Sequence, residues 1–178
     1  MSDWKLISTA NPSGAASVEF TALTGYKIFK FVVIGVNPVT DGADISFQVN
    51  ASGQTGFNEV ITSTYFRAYH DEADSYTALE YLADRDQAQG TAYQKIAHGV
   101  GNGADECGVG ELFLFNPAST VYVKHFYSTC QTYDNGDYSI EHFAAGYINV
   151  AAAITEIDFK MSSGNFDGTI KQYGLVAG

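Results

Sequence analysis

The sequence is poor in charge, and above all in positive charge. Charged residues make up 16% of the chain, against about 25% in an average globular protein. Nine Lys and Arg stand against 20 Asp and Glu, and the formal net charge of -11 would repel a phosphate backbone. We therefore expect no nucleic-acid partner. The sequence also lacks a basic block of the kind that binds an anionic membrane surface.

Cysteine and long apolar runs are also scarce. Two cysteines, Cys107 and Cys130, are too few for a disulfide framework, and we expect two reduced thiols rather than a bridge. The longest apolar run, FVVIGV at 31–36, is far shorter than the roughly 20 residues that cross a bilayer. The opening MSDWKLIS lacks the basic and apolar regions of a signal peptide. We expect synthesis in a cytoplasm and no membrane insertion.

Aromatic residues, glycine and alternating hydrophobicity are abundant. Tyr and Phe number 12 each and Gly 18, a composition that suits pleated strands joined by tight turns. A period of two recurs along the chain, as in ISFQVN at 45–50. Turn signals such as Asp41-Gly42 and DNGD at 134–137 separate the runs. We expect about ten short strands, at 4–9, 17–23, 26–36, 45–50, 58–69, 91–101, 109–116, 121–129, 138–150 and in two closing runs.

The stretch 70–90 departs from this alternation. Tyr76, Leu79 and Leu82 fall near helical spacing, which predicts either one short helix between strands or a structured loop. No other helical pattern separates the strands, so a parallel βαβ architecture is not expected. Each amphipathic sheet must bury one face. The sequence therefore predicts a single all-β domain over 1–178, an antiparallel two-sheet β-sandwich that is jelly-roll-like.

The closing segment ITEIDFKMSSGNFDGTIKQYGL predicts a hairpin. Ile157, Phe159 and Met161 share one face of its first strand. SSGN supplies the turn, in which Gly164 is free to take a positive φ. Gly168 allows a neighbouring backbone to approach, or allows the second strand to bend. We expect two adjacent strands that complete the sandwich.

This closing segment resembles the C-terminal signature of a family of small virion proteins of tailed bacteriophages, of the marine and cyanobacterial type. The opening SVEFTALTGYKIFKFVVIGVNPVTDGADISFQVN is similar to the same family. The resemblance covers most of the chain, with 70–90 the least matched part. It implies a β-sandwich structural component of a virion: a head decoration (cement) protein, a tail or baseplate component, or a fibre head. The positions that carry it outside the closing segment are Thr21, Leu23, Tyr26, Pro38, Thr40, Asp41 and 110–117.

Sequence motifs of catalysis are missing. The sequence has no G-x-S-x-G elbow and no Cys-His signature. The glycine-rich 99–110 lacks the Lys-Ser/Thr of a phosphate loop. A pair of acids in one cleft, which would hydrolyse a glycan, is the alternative that the sequence leaves open. We expect a protein that is not an enzyme, with no catalytic residue, no cofactor and no metal.

Two acidic loops carry the candidate contact residues. The stretches 70–74 and 134–137 offer the oxygen ligands that calcium prefers, but neither has the spacing of an EF-hand loop, and we expect solvated loops. Tyrosine provides contact area together with a hydroxyl that stays hydrated. Loops that carry Tyr beside Asp can therefore contact a sugar or a neighbouring subunit. The candidate partner or glycan contacts are His70, Asp71, Tyr76, Tyr133, Asp134 and Asp137.

These observations lead to one expected function and one alternative. The expected function is a surface-exposed structural component of a tailed-phage virion, made in the host bacterial cytoplasm. It would associate with copies of itself, as a trimer by analogy with decoration and fibre proteins, and with other virion proteins. The alternative is a carbohydrate-binding, receptor-reading β-sandwich module whose aromatic and acidic loop residues hold a host surface glycan.

Overall fold

The computed structural model describes residues 3–21 and 23–175. Within these ranges the chain forms twelve β-strands and no helix, so no helix that could span a membrane is present there. Position 22, which falls in the predicted strand 17–23, lies outside the described residues. The strands are β1 (Trp4–Ala10), β2 (Val18–Thr21), β3 (Ile28–Pro38), β4 (Ala43–Ala51), β5 (Ile61–Asp71), β6 (Thr77–Tyr81), β7 (Gln94–Val100), β8 (Gly108–Phe115), β9 (Lys124–Tyr133), β10 (Tyr138–Ile148), β11 (Ile154–Met161) and β12 (Phe166–Leu175).

Two antiparallel sheets of unequal width pack face to face. The eight-stranded sheet has the order β1-β12-β3-β8-β9-β10-β5-β6, and the four-stranded sheet has the order β2-β11-β4-β7. The predicted all-β, two-sheet antiparallel architecture is confirmed. The strand count rises to twelve chiefly because the stretch 70–90 contributes a strand that the sequence pattern did not predict.

The short helix considered for 70–90 is wrong. Residues Thr77–Tyr81 form β6, which pairs antiparallel with β5 from His70↔Thr77 to Phe66↔Tyr81. The backbone groups of this segment therefore bond to a neighbouring strand instead of to the turn before them. Leu79 and Tyr81 point the same way and stay exposed. Tyr76 and Leu79, whose spacing resembled that of a helix, are both exposed and do not form a buried face.

The prediction that the two closing strands pair as a hairpin is wrong, although both strands and the turn between them are present. β11 lies in the four-stranded sheet between β2 and β4, while β12 lies in the eight-stranded sheet between β1 and β3. The connection is therefore an arch from one sheet to the other, which turns Phe159 and Ile170 into the core from opposite sides. Gly164 has the expected positive φ of 70°.

Gly168 has the bending role predicted for it. Its φ is 138°, and the register of β12 against β3 shifts between Asp167 and Thr169. A side chain at this position would meet the carbonyl oxygen of Gly35 and the Cα of Val36 at 3.0 Å. This bulge lets β12 lie close against β3 while the strand changes direction.

The core lies between the two sheets and is built from alternate strand residues. Rings of Phe20, Phe31, Phe47 and Phe159 meet with centroid separations of 5.3 Å to 6.4 Å. Each buried aromatic side chain of this kind contributes roughly 1.5–3 kcal/mol through burial. Every strand supplies a core residue except β6, while β1 contributes only Ala10 at its periphery.

Both cysteines are free thiols, as expected. Cys130 is buried on β9, where burial raises the pKa of its thiol to about 12. Cys107 precedes β8, and its carbonyl accepts the backbone N–H of Tyr133 at 3.1 Å. The two side chains belong to different positions along the β8–β9 ladder, in which Cys130 lies opposite Gly110.

A polar cluster interrupts the core near β5. His142 is fully buried on β10, with the Tyr65 hydroxyl 2.8 Å from Nδ1 and the Thr132 hydroxyl 2.9 Å from Nε2. Burial, followed by the positive charges of His98 and Arg67, lowers the pKa of His142 to about 3. The imidazole is therefore neutral in the folded protein at neutral pH.

The buried imidazole predicts a loss of stability in mild acid. The pKa of His142 is about 3 when folded and near 6.5 when unfolded, so its neutral form favours folding above pH 6.5 and this stability is lost as pH falls towards 3. We expect the free energy of unfolding to be roughly 3 kcal/mol lower at about pH 4.5 than at about pH 7.5. Urea titrations of the wild type and of His142→Gln measure this, and the variant should lose most of the difference.

Between pH 4.5 and 7.5 the titration of His142 is separate from that of Asp44, a strongly perturbed carboxyl group nearby. The pKa of Asp44 lies well below its ordinary value of 3.8, so its stabilising effect is lost only in stronger acid. Equal pH dependence in the wild type and in His142→Gln would contradict the assignment.

Candidate functional site

The six predicted contact residues lie together at one end of the sandwich. β5 ends at Asp71 and β9 ends at Tyr133, while β10 begins at Tyr138 between them. In the register, Tyr138 faces Asp71 and Ser139 faces Tyr133. The turns 72–76 and 134–137 are therefore neighbours, joined by a bond from the Glu72 N–H to the Asp137 carbonyl at 3.0 Å.

Asp71 serves the local structure. Its carboxylate accepts the backbone N–H groups of Ser75 and Tyr76, each at 2.9 Å, and also the Ser75 hydroxyl. The Ser75 hydroxyl is the largest of the effects that hold the pKa of Asp71 below its ordinary value. These bonds close the turn between β5 and β6, so little of this carboxylate is left for a ligand.

Asp134 closes the neighbouring turn with only one of its oxygens. Oδ1 accepts the N–H groups of Gly136 at 2.8 Å and Tyr138 at 3.3 Å. Oδ2 makes no hydrogen bond to any residue in the described ranges 3–21 and 23–175. Asp134 therefore combines a fixed side chain with a free acceptor.

An outer groove of about 340 Å³ opens on the solvent side of the large sheet at this end. His70 is held there by the Asp71 carbonyl, 2.6 Å from Nδ1, and by the Asp74 carboxylate, 3.2 Å from Nε2. The nearby Glu72 carboxylate, burial and the charge of Asp137 raise the pKa of Tyr133 to about 12. The outer groove is therefore acidic. It is lined by His70, Asp71, Glu72, Gln131, Tyr133 and Ser139.

An inner groove of about 270 Å³ lies on the other side of β5, next to the edge strand β7. It combines two predicted residues, Tyr76 and Asp134, with others that sequence reasoning missed. The missed residues come from strand interiors that carry no motif, and only the pairing of sheets brings them together. The inner groove is lined by Arg67, Tyr69, Tyr76, His98, Asp134, Tyr138 and Ile140.

Ion pairs behind the inner groove hold its polar side chains in place. Both Nε and Nη2 of Arg67 contact Oε1 of Glu80, at 2.8 Å and 2.6 Å, and the guanidinium lies 4.6 Å from the centre of the Tyr69 ring. His98 Nδ1 is 2.8 Å from the buried carboxylate of Asp44. In spite of its burial, bonds to His98 and Lys95 hold the pKa of Asp44 well below its ordinary range.

The outward face of the eight-stranded sheet carries a second candidate surface, an aromatic patch formed by Trp4, Phe113, Phe115 and Tyr127. Phe113 stacks on Tyr127 at 4.8 Å and meets Trp4 edge-on at 5.9 Å, and Phe115 lies 5.6 Å from Tyr127. Trp4 is 37% exposed and Tyr127 is 44% exposed. Further exposed apolar residues on the same face of the sheet are Leu6, Ile34, Phe66, Leu79, Tyr81 and Val109.

The outward face of the four-stranded sheet is different, because the chain itself covers much of it. The side-chain amide of Gln48 donates to the carbonyl groups of Glu59, Thr91 and Ala92 at 2.9 Å to 3.2 Å. Gln48 is fully buried under these segments. The segments before β5 and after β6 therefore cover this sheet around Gln48.

The described residues form no metal centre at the two grooves or at the aromatic patch. Among residues 3–21 and 23–175, no group of three or more His, Cys, Asp or Glu side chains is placed to hold an ion. In the acidic loops, the carboxylates of Asp71 and Asp134 accept backbone N–H groups of their own turns. No protein-family model matches this chain, and no curated protein is significantly similar to it.

The turn-closing role of Asp71 predicts a local loss of protection. In Asp71→Ala the N–H groups of Ser75 and Tyr76 lose a charged acceptor, so we expect their hydrogen exchange to accelerate by about tenfold or more. Amide exchange followed by NMR measures this. Glu72→Ala, which removes an acid from the same turn without touching those N–H groups, is the matched control. Unchanged exchange in Asp71→Ala would refute the role.

Proposed function

We propose that this protein is a structural component of a tailed-phage virion that works by association with copies of itself. Its location would be the virion, after synthesis in the host cytoplasm. The observation that carries the proposal is the aromatic patch on the open face of the eight-stranded sheet. The partners would be further copies, in a trimer by analogy with decoration and fibre proteins, and other virion proteins.

The strand order supports a jelly roll as the scaffold. A jelly roll is a rolled antiparallel ribbon in which early strands pair with late ones in a nested series. Here β2 pairs with β11, β3 with β8, β4 with β7 and β5 with β6. The meander β8–β9–β10 occupies the place of a single strand in that series. Such a scaffold is rigid and presents one broad sheet face outward.

The charge around the aromatic patch favours a contact with a second copy. Lys30 lies 4.8 Å from the centre of the Trp4 ring and 5.8 Å from that of Phe113, and it pairs with Glu111 at 3.7 Å. The patch is therefore locally neutral on a chain with a net charge of -11. Two copies repel each other least when they meet through this face.

The edge strand β1 extends the same surface to the border of the sheet. Six of its seven residues are exposed, including the apolar Trp4, Leu6 and Ile7. An apolar edge strand with free backbone groups is a site at which a further strand adds to a sheet. A contact that covers the aromatic patch together with β1 can reach the roughly 1,600 Å² of a standard interface.

A second candidate function is carbohydrate binding, and one observation favours it. The inner groove places three tyrosine rings beside polar side chains that are fixed by ion pairs. Aromatic rings that flank convergent polar groups are typical of small-ligand sites. This groove lies on the side of β5 that faces away from the aromatic patch, so both functions are compatible in one particle.

Self-association predicts a mass above that of one chain in solution. Multi-angle light scattering should give values that rise with concentration from 19.2 kDa towards a trimer. Tyr127→Asp would bury a carboxylate without a partner, and we expect it to weaken association by about tenfold or more. Val39→Asp, which adds the same charge at an exposed apolar residue of a turn, is the control. A wild-type monomer at every concentration would contradict the proposal.

The virion role predicts the protein in purified particles. Quantitative mass spectrometry of virions from an infected host should detect it as a stoichiometric component. Copies in the hundreds would assign it to head decoration, and a handful would assign it to the tail or fibre. Its presence only in the lysate, with none in purified particles, would exclude a structural role in the virion.

A further inference from the structure

We infer that the inner groove binds a single neutral hexose ring, as the terminal residue of a surface glycan. This inference rests on the second candidate function, carbohydrate binding, and assigns that function a site and a ligand class. It does not depend on self-association. Three features of the inner groove carry it: aromatic walls, polar atoms that are still free, and the charge and volume of the space.

Three tyrosine rings form the walls of the inner groove. Tyr69 lies 5.7 Å from Tyr76 and 5.6 Å from Tyr138, measured between ring centres, and the second pair is nearly perpendicular. Tyr76 is 54% exposed in spite of this packing. The C–H face of a sugar ring packs against such an aromatic face.

Polar atoms in the inner groove remain without partners in the part of the chain that the structure describes. They are Oδ2 of Asp134, Nε2 of His98 and Nη1 of Arg67. The other polar side-chain atoms of these three residues form hydrogen bonds within the protein. A carboxylate accepts, a guanidinium donates and an imidazole nitrogen can do either. Adjacent sugar hydroxyls both donate and accept, so this mixed set matches a diol better than it matches a purely anionic or cationic group.

The polar side chains are held in position before any ligand arrives. Glu80 fixes Arg67 through two nitrogens, Asp44 fixes His98, and the turn N–H groups fix Asp134. Because these side chains are already ordered, binding does not have to pay for ordering them. Sugar sites need this advantage, since each hydroxyl must replace the water that it leaves behind.

Charge and volume select the ligand class. The charge of Arg67 is offset by Glu80 and that of Lys95 by Asp44. The charge of Arg85, which lies 3.2 Å from His98 Nδ1, is offset by Asp84, so Asp134 makes the inner groove slightly negative. An acidic sugar would be repelled by this carboxylate and by the net charge of -11. The volume of about 270 Å³ lies just below the roughly 300–1,000 Å³ of drug-sized pockets. One ring fits, and the rest of a glycan would extend into solvent.

The other two surfaces match a sugar less well. In the outer groove, Glu72 and Asp137 surround the only tyrosine, Tyr133, and both nitrogens of His70 are already bonded. The aromatic patch offers rings, but its charged pair Lys30 and Glu111 is mutually satisfied. The inner groove alone among the three combines rings with free donors and acceptors.

The test uses the full chain and a panel of methyl glycosides of neutral hexoses and N-acetylhexosamines, with sialic acid as an acidic competitor. Amide signals are followed by NMR during titration. We expect at least one neutral glycoside to bind with a millimolar Kd and to shift the signals of 67–69, 76, 98–101 and 134–138. Tyr76→Ala and Asp134→Asn should each raise the Kd by about tenfold. Tyr122→Ala, which removes a more exposed tyrosine elsewhere, should leave it unchanged.

The possible results distinguish a wrong site from a wrong function. If a glycan binds without shifting the signals of these segments, or binds Tyr76→Ala and Asp134→Asn as tightly as the wild type, the protein binds carbohydrate but not in the inner groove. Preference for sialic acid would overturn the neutral ligand. No binding to any glycan would overturn both. The Asn variant keeps the acceptor that closes the turn, and an unchanged urea midpoint shows that a loss of affinity is not a loss of fold.

Discussion

The two sheets differ in width, and this difference creates both candidate binding surfaces. Four strands cannot cover eight, and across the sandwich β7 lies mainly against β9 and β10. The inner side of β5 and β6 therefore projects beyond the small sheet. Arg67 on this overhang and His98 on the neighbouring β7 line the space in place of a hydrophobic core, and with the nearby tyrosines they form the inner groove. The same width gives the large sheet one continuous outward face, which residues 3–21 and 23–175 leave open.

The two candidate surfaces lie on opposite sides of one sheet, and this arrangement lets them serve together. The aromatic patch faces outward from the central strands, whereas the inner groove opens at the end of β5. Association through the patch would leave the groove open to solvent. Repetition of the chain around a particle would then multiply weak single-sugar contacts into useful avidity.

The alternation of residues made the sheets predictable, while the pairing between strands was not. Ile45, Phe47 and Val49 point into the core as their period of two implies. The period cannot show that Met161 and Phe166 belong to different sheets, because both sides of the connection alternate in the same way. β6 was missed because its five residues bury little and pair only with β5. Tyr76 and Asp134 were predicted from their loops, but Arg67 and His98 reach the groove only through tertiary packing.

The sole tryptophan of the chain reports on the proposed contact between copies through the outward face of the large sheet. Trp4 lies in the aromatic patch and is 37% exposed in the single chain. Its fluorescence should shift to shorter wavelength and become resistant to a soluble quencher as concentration rises, because association removes water from the indole. If emission and quenching stay constant while light scattering reports oligomers, the contact lies elsewhere on the chain. That result would contradict association through the aromatic patch.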